Sequence, residues 1–449
     1  MKREEMRLLP DTAARTSVGH LSLGGCDVVE LARQCGTPLY VYDQATLVNT
    51  ARIYGAALSG YPVSSVVSYA SKAYLCLALA QLWSELGLAL DVVGPGELET
   101  ALRAGMPPER IHLHGNNKPP ALLRRAVQVG LGRIVVDGWH DFDLLEDLDT
   151  GLPVAVWLRL APGVDAPTHH YRKTGLVASK FGFPISTGDA QRAVERALGS
   201  RAVRLVGLHA HIGSQIFETE PFVACVEILL DFAAQMQDRF GWQLQELCPG
   251  GGWGIAYSDQ DACPSIAHYV EAVSGAVVQG CQARGLSLPR LILEPGRSLV
   301  ARAGVAIYAV GGRKEVRGYQ PYVMLDGGLA DNPRPALYGA RYAATCVNRV
   351  GGLDQVVTLC GPFCESGDVL ARDLCVPITL PGDLIAVPVS GAYQLSMSST
   401  YNGFPRPAVL MVAGGRADLI QRRETVDDLL LRDLTLPGTR LPESLHPPE

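Results

Sequence analysis

"SSVVSYASKAYL", residues 64–75, joins two kinds of secondary structure in one line. An apolar run of strand character closes on a polar cluster containing Lys72, and "YLCLALAQLWSELG" (74–87) then continues with helical spacing up to a glycine. A lysine at the lip of an apolar strand is in most proteins a solvated loop cation. Here the arrangement recurs. Apolar runs end in polar or glycine-rich clusters at "LALDVVGPG" (88–96), "IHLHGNN" (111–117), "RIVVDGW" (133–139) and "VAVWLRLAPG" (154–163). Three more end at "LVGLHAHIGS" (205–214), "LCPGGGWG" (247–254) and "LILEPGRS" (291–298). Amphipathic stretches such as "PGELETALRAG", "PALLRRAVQVG", "DAQRAVERALG" and "PFVACVEILLDFAAQMQDRFG" lie between them, several closing on glycine as a helix C-terminus prefers. Eight strand–helix units in about 240 residues is the arithmetic of a (β/α)8 TIM barrel. A doubly wound open sheet has the same local periodicity, and the count of eight favours the barrel.

Beyond residue 300 the texture changes. "VAIYAVGGRKEV", "YVMLDGG", "QVVTLCGPFC", "CVPITLPGDLIAVPV" and "PAVLMVAGG" are strand-like runs joined by Gly and Pro turns. "TPLYVYD" (37–43) is of the same kind. The expected organisation is therefore a mainly β-domain built from residues 1–45 and 301–449 around a barrel at 46–300. At 449 residues two structural units are the natural expectation, and 47% hydrophobic against 19% charged residues suffices for a large core. A net charge of -6 gives no support for nucleic-acid binding, and no apolar run reaches spanning length, so no membrane partner is expected. The N-terminus lacks the apolar centre of a secretory signal, so a cytoplasmic protein is expected. Eleven cysteines, an odd number without a C-x-x-C pair, point to reduced thiols. The histidines and cysteines lack metal-ligand spacing, so no metal is expected.

Chemistry in barrels gathers at the C-terminal ends of strands. Lys72, Asp91, His114, Asn116, Arg159, His211, Gly250, Gly251, Gly252 and Glu294 all fall at such ends. A strand-end lysine together with a glycine cluster suits pyridoxal 5'-phosphate, which needs an amine for its aldehyde and backbone N–H groups for its phosphate. "EPGRS" adds Gly296 and Arg297, and Glu294 closes an apolar run that would enclose its carboxylate. Glu294 is either a structural ion-pair partner or the group that keeps a pyridine nitrogen protonated.

Nine motifs in order carry a resemblance to a family. "YASKA", "DVVGPGEL", "HGNNK", "GLHAHIGSQI", "GGGWGI", "EPGRS", "RPALYGA", "GPFCESGD" and "GAYQLSMSSTYN" resemble the motif series of diaminopimelate decarboxylases. These are pyridoxal-phosphate enzymes of barrel-plus-β-domain fold, with ornithine decarboxylase and alanine racemase as more distant relatives. The resemblance implies that Lys72 binds the cofactor aldehyde, that Asp91 lies beside it, and that His211 stacks on the ring. It implies a phosphate cup of Ser214, Gly250, Gly251 and Gly252, closed by Gly296 and Arg297, with Tyr393 touching phosphate and substrate. His209, two residues before His211, is read as structural.

For the substrate, the resemblance implies that Arg297, Arg334, Tyr338 and Glu365 hold the distal amino-acid end of diaminopimelate. That end needs cations for a carboxylate and a carboxylate for an ammonium. Read without the resemblance, Arg334 is a solvated surface arginine and Tyr338 a core aromatic. Cys364 is implied as the proton donor after loss of carbon dioxide, on a loop supplied by the other subunit of a homodimer. Cys360 is read as a core residue. The alternatives are a decarboxylase of ornithine, arginine or carboxynorspermidine, a racemase, or a cofactor-free regulatory homologue. The chain departs from the family at Ala166-Pro167, at "YASKAY" and at Trp253, none of them a residue type the chemistry demands.

Overall fold

The computed structural model describes residues 7–148, 151–164, 179–258, 260–261 and 264–436, so Ala166-Pro167 lies outside the described residues. The chain forms two compact units. One comprises Met1–Thr12, Asp43–Gly304 and Pro388–Ser396, and the other Ala13–Tyr42, Val305–Val387 and Met397–Glu449.

The first unit is a closed barrel of eight parallel strands. They are β1 (Ser65–Ala70), β2 (Ala89–Val92), β3 (Ile111–Leu113), β4 (Arg133–Val136), β5 (Val154–Ala161), β6 (Val203–His209), β7 (Glu246–Cys248) and β8 (Arg290–Leu293). Each pairs with the next, and β8 pairs back with β1 through Leu291↔Ser65, Ile292↔Val66 and Leu293↔Val67. The open-sheet alternative is thereby removed. Val135, Trp157, Val206, Cys248 and Ile292, drawn from successive strands, pack as one buried cluster. Strands enclosed on both faces read as continuous apolar runs, which is why all eight were visible as such. The two longest helices, Glu220–Phe240 and Ile266–Arg284, pack in the surrounding layer and are tied by Arg284 to Glu227 and Asp231.

One close approach fixes the barrel on its β5–β6–β7 side. At Gly207 the β6 register shifts, and a Cβ there would lie 2.9 Å from Trp157 Cδ1 and closer still to the carbonyl of Glu246. Trp157 in turn donates from Nε1 to Glu246 Oε2 at 2.7 Å, and Arg133 grips both oxygens of Glu246 at 2.6 Å.

The second unit is built on a mixed sheet. Its strands include β9 (Gly304–Lys314), β10 (Tyr322–Leu325), β11 (Asp354–Cys360), β12 (Val369–Pro377), β13 (Leu384–Val387), β14 (Ala408–Ala413) and β15 (Arg416–Gln421). The order is β12-β11-β10-β9, then Leu39–Asp43, then β14-β15, with β13 also paired to β9. The Leu39–Asp43 strand is buried along its whole length, so this early segment supplies a central strand. Cys360 is half-buried, its thiol 3.6 Å from the Val323 carbonyl, rather than a fully enclosed core residue.

Gly207→Ala is expected to lower stability by about 1–3 kcal/mol, the usual cost of overpacking, because its neighbours are backbone and a buried indole. Denaturant unfolding checks this; an unchanged midpoint would mean that the strands are free to move apart.

Candidate active site

Lys72 sits in a short turn, Ser71–Ala73, immediately after β1, and its side chain is exposed. The turn is held from both sides: Tyr69 donates its hydroxyl to the Tyr74 carbonyl at 2.6 Å, and Tyr393 N–H donates to the Ala73 carbonyl at 2.7 Å. Ser396 Oγ donates to the same carbonyl at 3.1 Å. Tyr393 adopts a φ of 61°, a strained value for a tyrosine, and its ring faces the guanidinium of Arg297 at 4.8 Å.

Two carboxylates face each other through a histidine. Asp91 at the end of β2 stands opposite Ala70 in register, placing it next to the Lys72 turn. Its Oδ1 accepts from Ser68 Oγ at 2.5 Å and lies 3.3 Å from His112 Nδ1 and 3.5 Å from His114 Nε2. His114 Nε2 is also 3.5 Å from Glu294 Oε1. Glu294, after β8, takes Cys248 Sγ on Oε1 at 3.0 Å and lies 3.0 Å from His209 Nε2 through Oε2. Burial alone would raise the Asp91 carboxyl, but His114 and His112 outweigh it and hold it well below the usual carboxylate range. Glu294 moves the other way, raised by burial and by the charge of Asp91. Buried together, these groups favour one ionised carboxylate and leave the second short of a cation.

The neighbouring histidines are kept neutral. Burial, then the charge of Arg159, pushes His209 down to about 3, and burial followed by Lys72 pushes His211 well below its ordinary value. Arg159, at the end of β5, is buried and paired with Asp137 Oδ2 at 3.2 Å; Asp137 Oδ1 accepts from Gly182 N–H at 2.8 Å. Read from sequence as structural, His209 thus touches Glu294. Nothing in a linear reading pairs residues 85 positions apart.

Beside Glu294 lies the glycine cup. The N–H of Gly251 is 3.4 Å from His211 Nδ1, and the N–H of Glu294 donates to the Gly250 carbonyl at 3.0 Å. A Cβ on Gly251 would overlap the Glu294 carbonyl, and one on Gly250 would come within 3.0 Å of His211 Nδ1. Side chains are excluded here, so the backbone alone faces the mouth. Arg297 donates to Ser214 Oγ at 3.0 Å and to Tyr257 OH at 2.5 Å. Gly296 leaves its Cβ space between Ala70, Ala73 and Tyr393 OH, each 3.3–3.4 Å away. Trp253, the unusual residue in this loop, is buried and stacks on Tyr269 at 5.0 Å.

The structure therefore brings together Lys72, Asp91, His211, Ser214, Gly250, Gly251, Gly252, Glu294, Gly296, Arg297 and Tyr393 in the barrel unit. The remaining sequence candidates belong to the other unit. Arg334 there is 2% exposed and donates to Tyr342 OH at 2.6 Å, so it is not a solvated surface residue. Tyr338 is half-buried, while Cys364 and Glu365 stand exposed on one loop. Sequence reasoning missed Tyr257, Cys248 and Asp137, which carry no motif of their own. His114, His209 and Glu294 also bring one donor atom each within 4.8 Å of one another, a spacing a metal ion tolerates. Cys248 and His209 already face the two oxygens of Glu294.

The family description "Pyridoxal-dependent decarboxylase, pyridoxal binding domain" matches residues 47–301. The chain is 45% identical to the diaminopimelate decarboxylase of Bacillus subtilis (strain 168) over 95% of this chain and 98% of that protein. The chain belongs to the diaminopimelate decarboxylase family. The family's Mycobacterium tuberculosis (strain ATCC 25618 / H37Rv) member is 41% identical over 94% of this chain and 96% of its own length. A crystal structure of the M. jannaschii diaminopimelate decarboxylase in co-complex with L-lysine superposes with a TM-score of 0.89 at 32% identity, covering 95% of this chain and 98% of that one. Among the described residues no helix is long and apolar enough to cross a membrane.

The depressed His209 fixes a pH dependence. Unfolded, a histidine takes up a proton near 6.5; folded, His209 does so only near about 3. Its contribution to stability is therefore complete above 6.5 and is lost as pH falls toward about 3. His209→Gln is expected to flatten the decline of the thermal midpoint between about pH 7 and about pH 5. An unchanged slope would show that His209 is already solvated in the folded protein.

Proposed function

We propose that this chain converts meso-2,6-diaminopimelate to L-lysine and carbon dioxide with pyridoxal 5'-phosphate as cofactor. Full-length similarity to diaminopimelate decarboxylases, 45% identity over 98% of the Bacillus subtilis protein, carries the reading. The barrel mouth supports the chemistry. Asp91 Oδ2 is buried without a hydrogen-bond partner among the described residues, and the glycine cup presents backbone without side chains. Both features suit a bound group with a cation and a phosphate.

Bound there, the cofactor supplies an electron-accepting pyridine ring that allows the substrate's α-carboxylate to leave as carbon dioxide. Lys72 would hold the cofactor through its aldehyde. Glu294, raised by burial and by Asp91, would be relieved by sharing a proton with the ring nitrogen. His211, kept neutral, would lie against the ring without adding a second positive charge beside it. Ser214, Gly250, Gly251, Gly252, Gly296 and the Arg297 backbone would hold the phosphate, together with Tyr393. Arg297, Arg334, Tyr338 and Glu365 match the distal carboxylate and ammonium of the substrate. Cys364 returns a proton to the α-carbon.

In this reading the barrel unit holds the cofactor, and the second unit supplies specificity and dimer contacts. The loop at 361–368, with Cys364 and Glu365 exposed, completes in one protomer the site of its partner in a cytoplasmic homodimer. The exposure of Cys364 supports that assignment, since a proton donor must reach substrate.

Purified protein supplied with cofactor is expected to form lysine from meso-diaminopimelate; consumption of ornithine without any lysine formation would contradict the substrate. Lys72→Ala is expected to abolish the absorbance band of the Schiff base between protein and cofactor. Cys364→Ala is expected to keep that band but slow turnover by about 10²–10⁴, the usual contribution of a positioned acid. Retention of full turnover would remove Cys364 from the mechanism.

A further inference from the structure

We propose that Asp368 is a positioning residue, a buried carboxylate that fastens the segment leading to Arg334 onto the loop carrying Cys364 and Glu365. The inference rests on the substrate and proton-donor roles proposed above for those three residues. Asp368 is 4% exposed, yet no basic side chain hydrogen-bonds to it among the described residues. Its partners are backbone. Oδ1 accepts from Leu329 N–H at 2.7 Å, and Oδ2 accepts from Phe363 N–H at 2.9 Å. One carboxylate thus bridges two chain segments 34 residues apart, with Arg334 five positions beyond Leu329 and Cys364 directly after Phe363.

Two glycines admit the bridge. A Cβ on Gly328 would overlap Oδ1, and a Cβ on Gly361 would overlap Oδ2. Each segment is then secured again farther along. The N–H of Gly328 donates to Asp331 Oδ1 at 2.8 Å, and Asp331 Oδ2 takes Tyr308 OH at 2.5 Å and Tyr40 OH at 3.0 Å. The Arg334–Tyr338 helix begins directly beyond. On the other segment, the N–H of Cys364 donates to Asn402 Oδ1 at 2.9 Å, and the N–H of Asp368 donates to the Glu365 carbonyl at 3.0 Å.

The chemistry requires a carboxylate. Both partners are N–H donors, and an ionised aspartate is the small side chain that accepts on both of its heteroatoms. Asparagine of the same shape would turn its NH₂ against one of those donors, releasing one segment while leaving the other attached. The mismatch is local, because neither segment forms the barrel.

The test compares wild type with Asp368→Asn, Gly328→Ala and Arg334→Lys in the cofactor-loaded enzyme, measuring kcat and KM for meso-diaminopimelate. In parallel, site-resolved alkylation by iodoacetamide compares Cys364 with Cys375, also exposed, in each variant. Circular dichroism and the thermal midpoint verify folding. Asp368→Asn is expected to raise KM at least about tenfold and lower kcat, since small displacements of positioning groups are costly. It is also expected to change the Cys364-to-Cys375 alkylation ratio, and Gly328→Ala to reproduce both effects with the carboxylate intact. Kinetic constants and alkylation ratio within about twofold of wild type in the folded Asp368→Asn protein would overturn the proposal. If Arg334→Lys leaves KM unchanged while Asp368→Asn still alters Cys364 reactivity, the fastening stands and the substrate reading falls.

Discussion

The barrel mouth depends on keeping a buried carboxylate, Glu294, where nothing fully neutralises it. Cys248 offers a weak donor, and His209 and His114 face it, yet burial and the neighbouring charge of Asp91 keep its pKa raised. Leaving such a group inside a protein costs free energy unless a ligand relieves it. In the proposed function a protonated pyridine nitrogen would do so, and that relief would add to affinity for the cofactor. The surrounding residues are arranged to protect that difference. Asp91 draws on His112 and His114, and Arg159 is held by Asp137.

The same logic explains the glycine cup and the neutral histidine. A phosphate dianion is best met by backbone donors that bring no bulk, and Gly250 and Gly251 stand where any Cβ would strike a carbonyl or His211. His211 is held toward its neutral form by burial first, and then by the positive charge of Lys72 and Arg159. In the proposed function a neutral imidazole there would not compete with Glu294 for the proton.

How much of this was legible in the sequence follows from the range of each interaction. The eight barrel strands were readable because each is buried on both faces and leaves an uninterrupted apolar run that ends in polar residues. Lys72, Asp91, the glycines and Glu294 announced themselves as polar exceptions at those ends. The contacts that give them their electrostatics did not, because His209 meets Glu294 across 85 positions and Cys248 across 46. The inclusion of Pro388–Ser396 in the barrel unit was equally silent, since "SGAYQL" has no strand or helix periodicity. "GPFCESGD" was visible as a motif, but the role of its final aspartate depends on Leu329, which only the fold brings within reach.

The central claim is that Glu294 keeps the ring nitrogen protonated. Nitrogen NMR on protein loaded with cofactor labelled at that atom measures this directly. A protonated nitrogen in wild type, losing its proton in Glu294→Gln, is the predicted result. An unprotonated nitrogen in the wild-type protein would contradict the account.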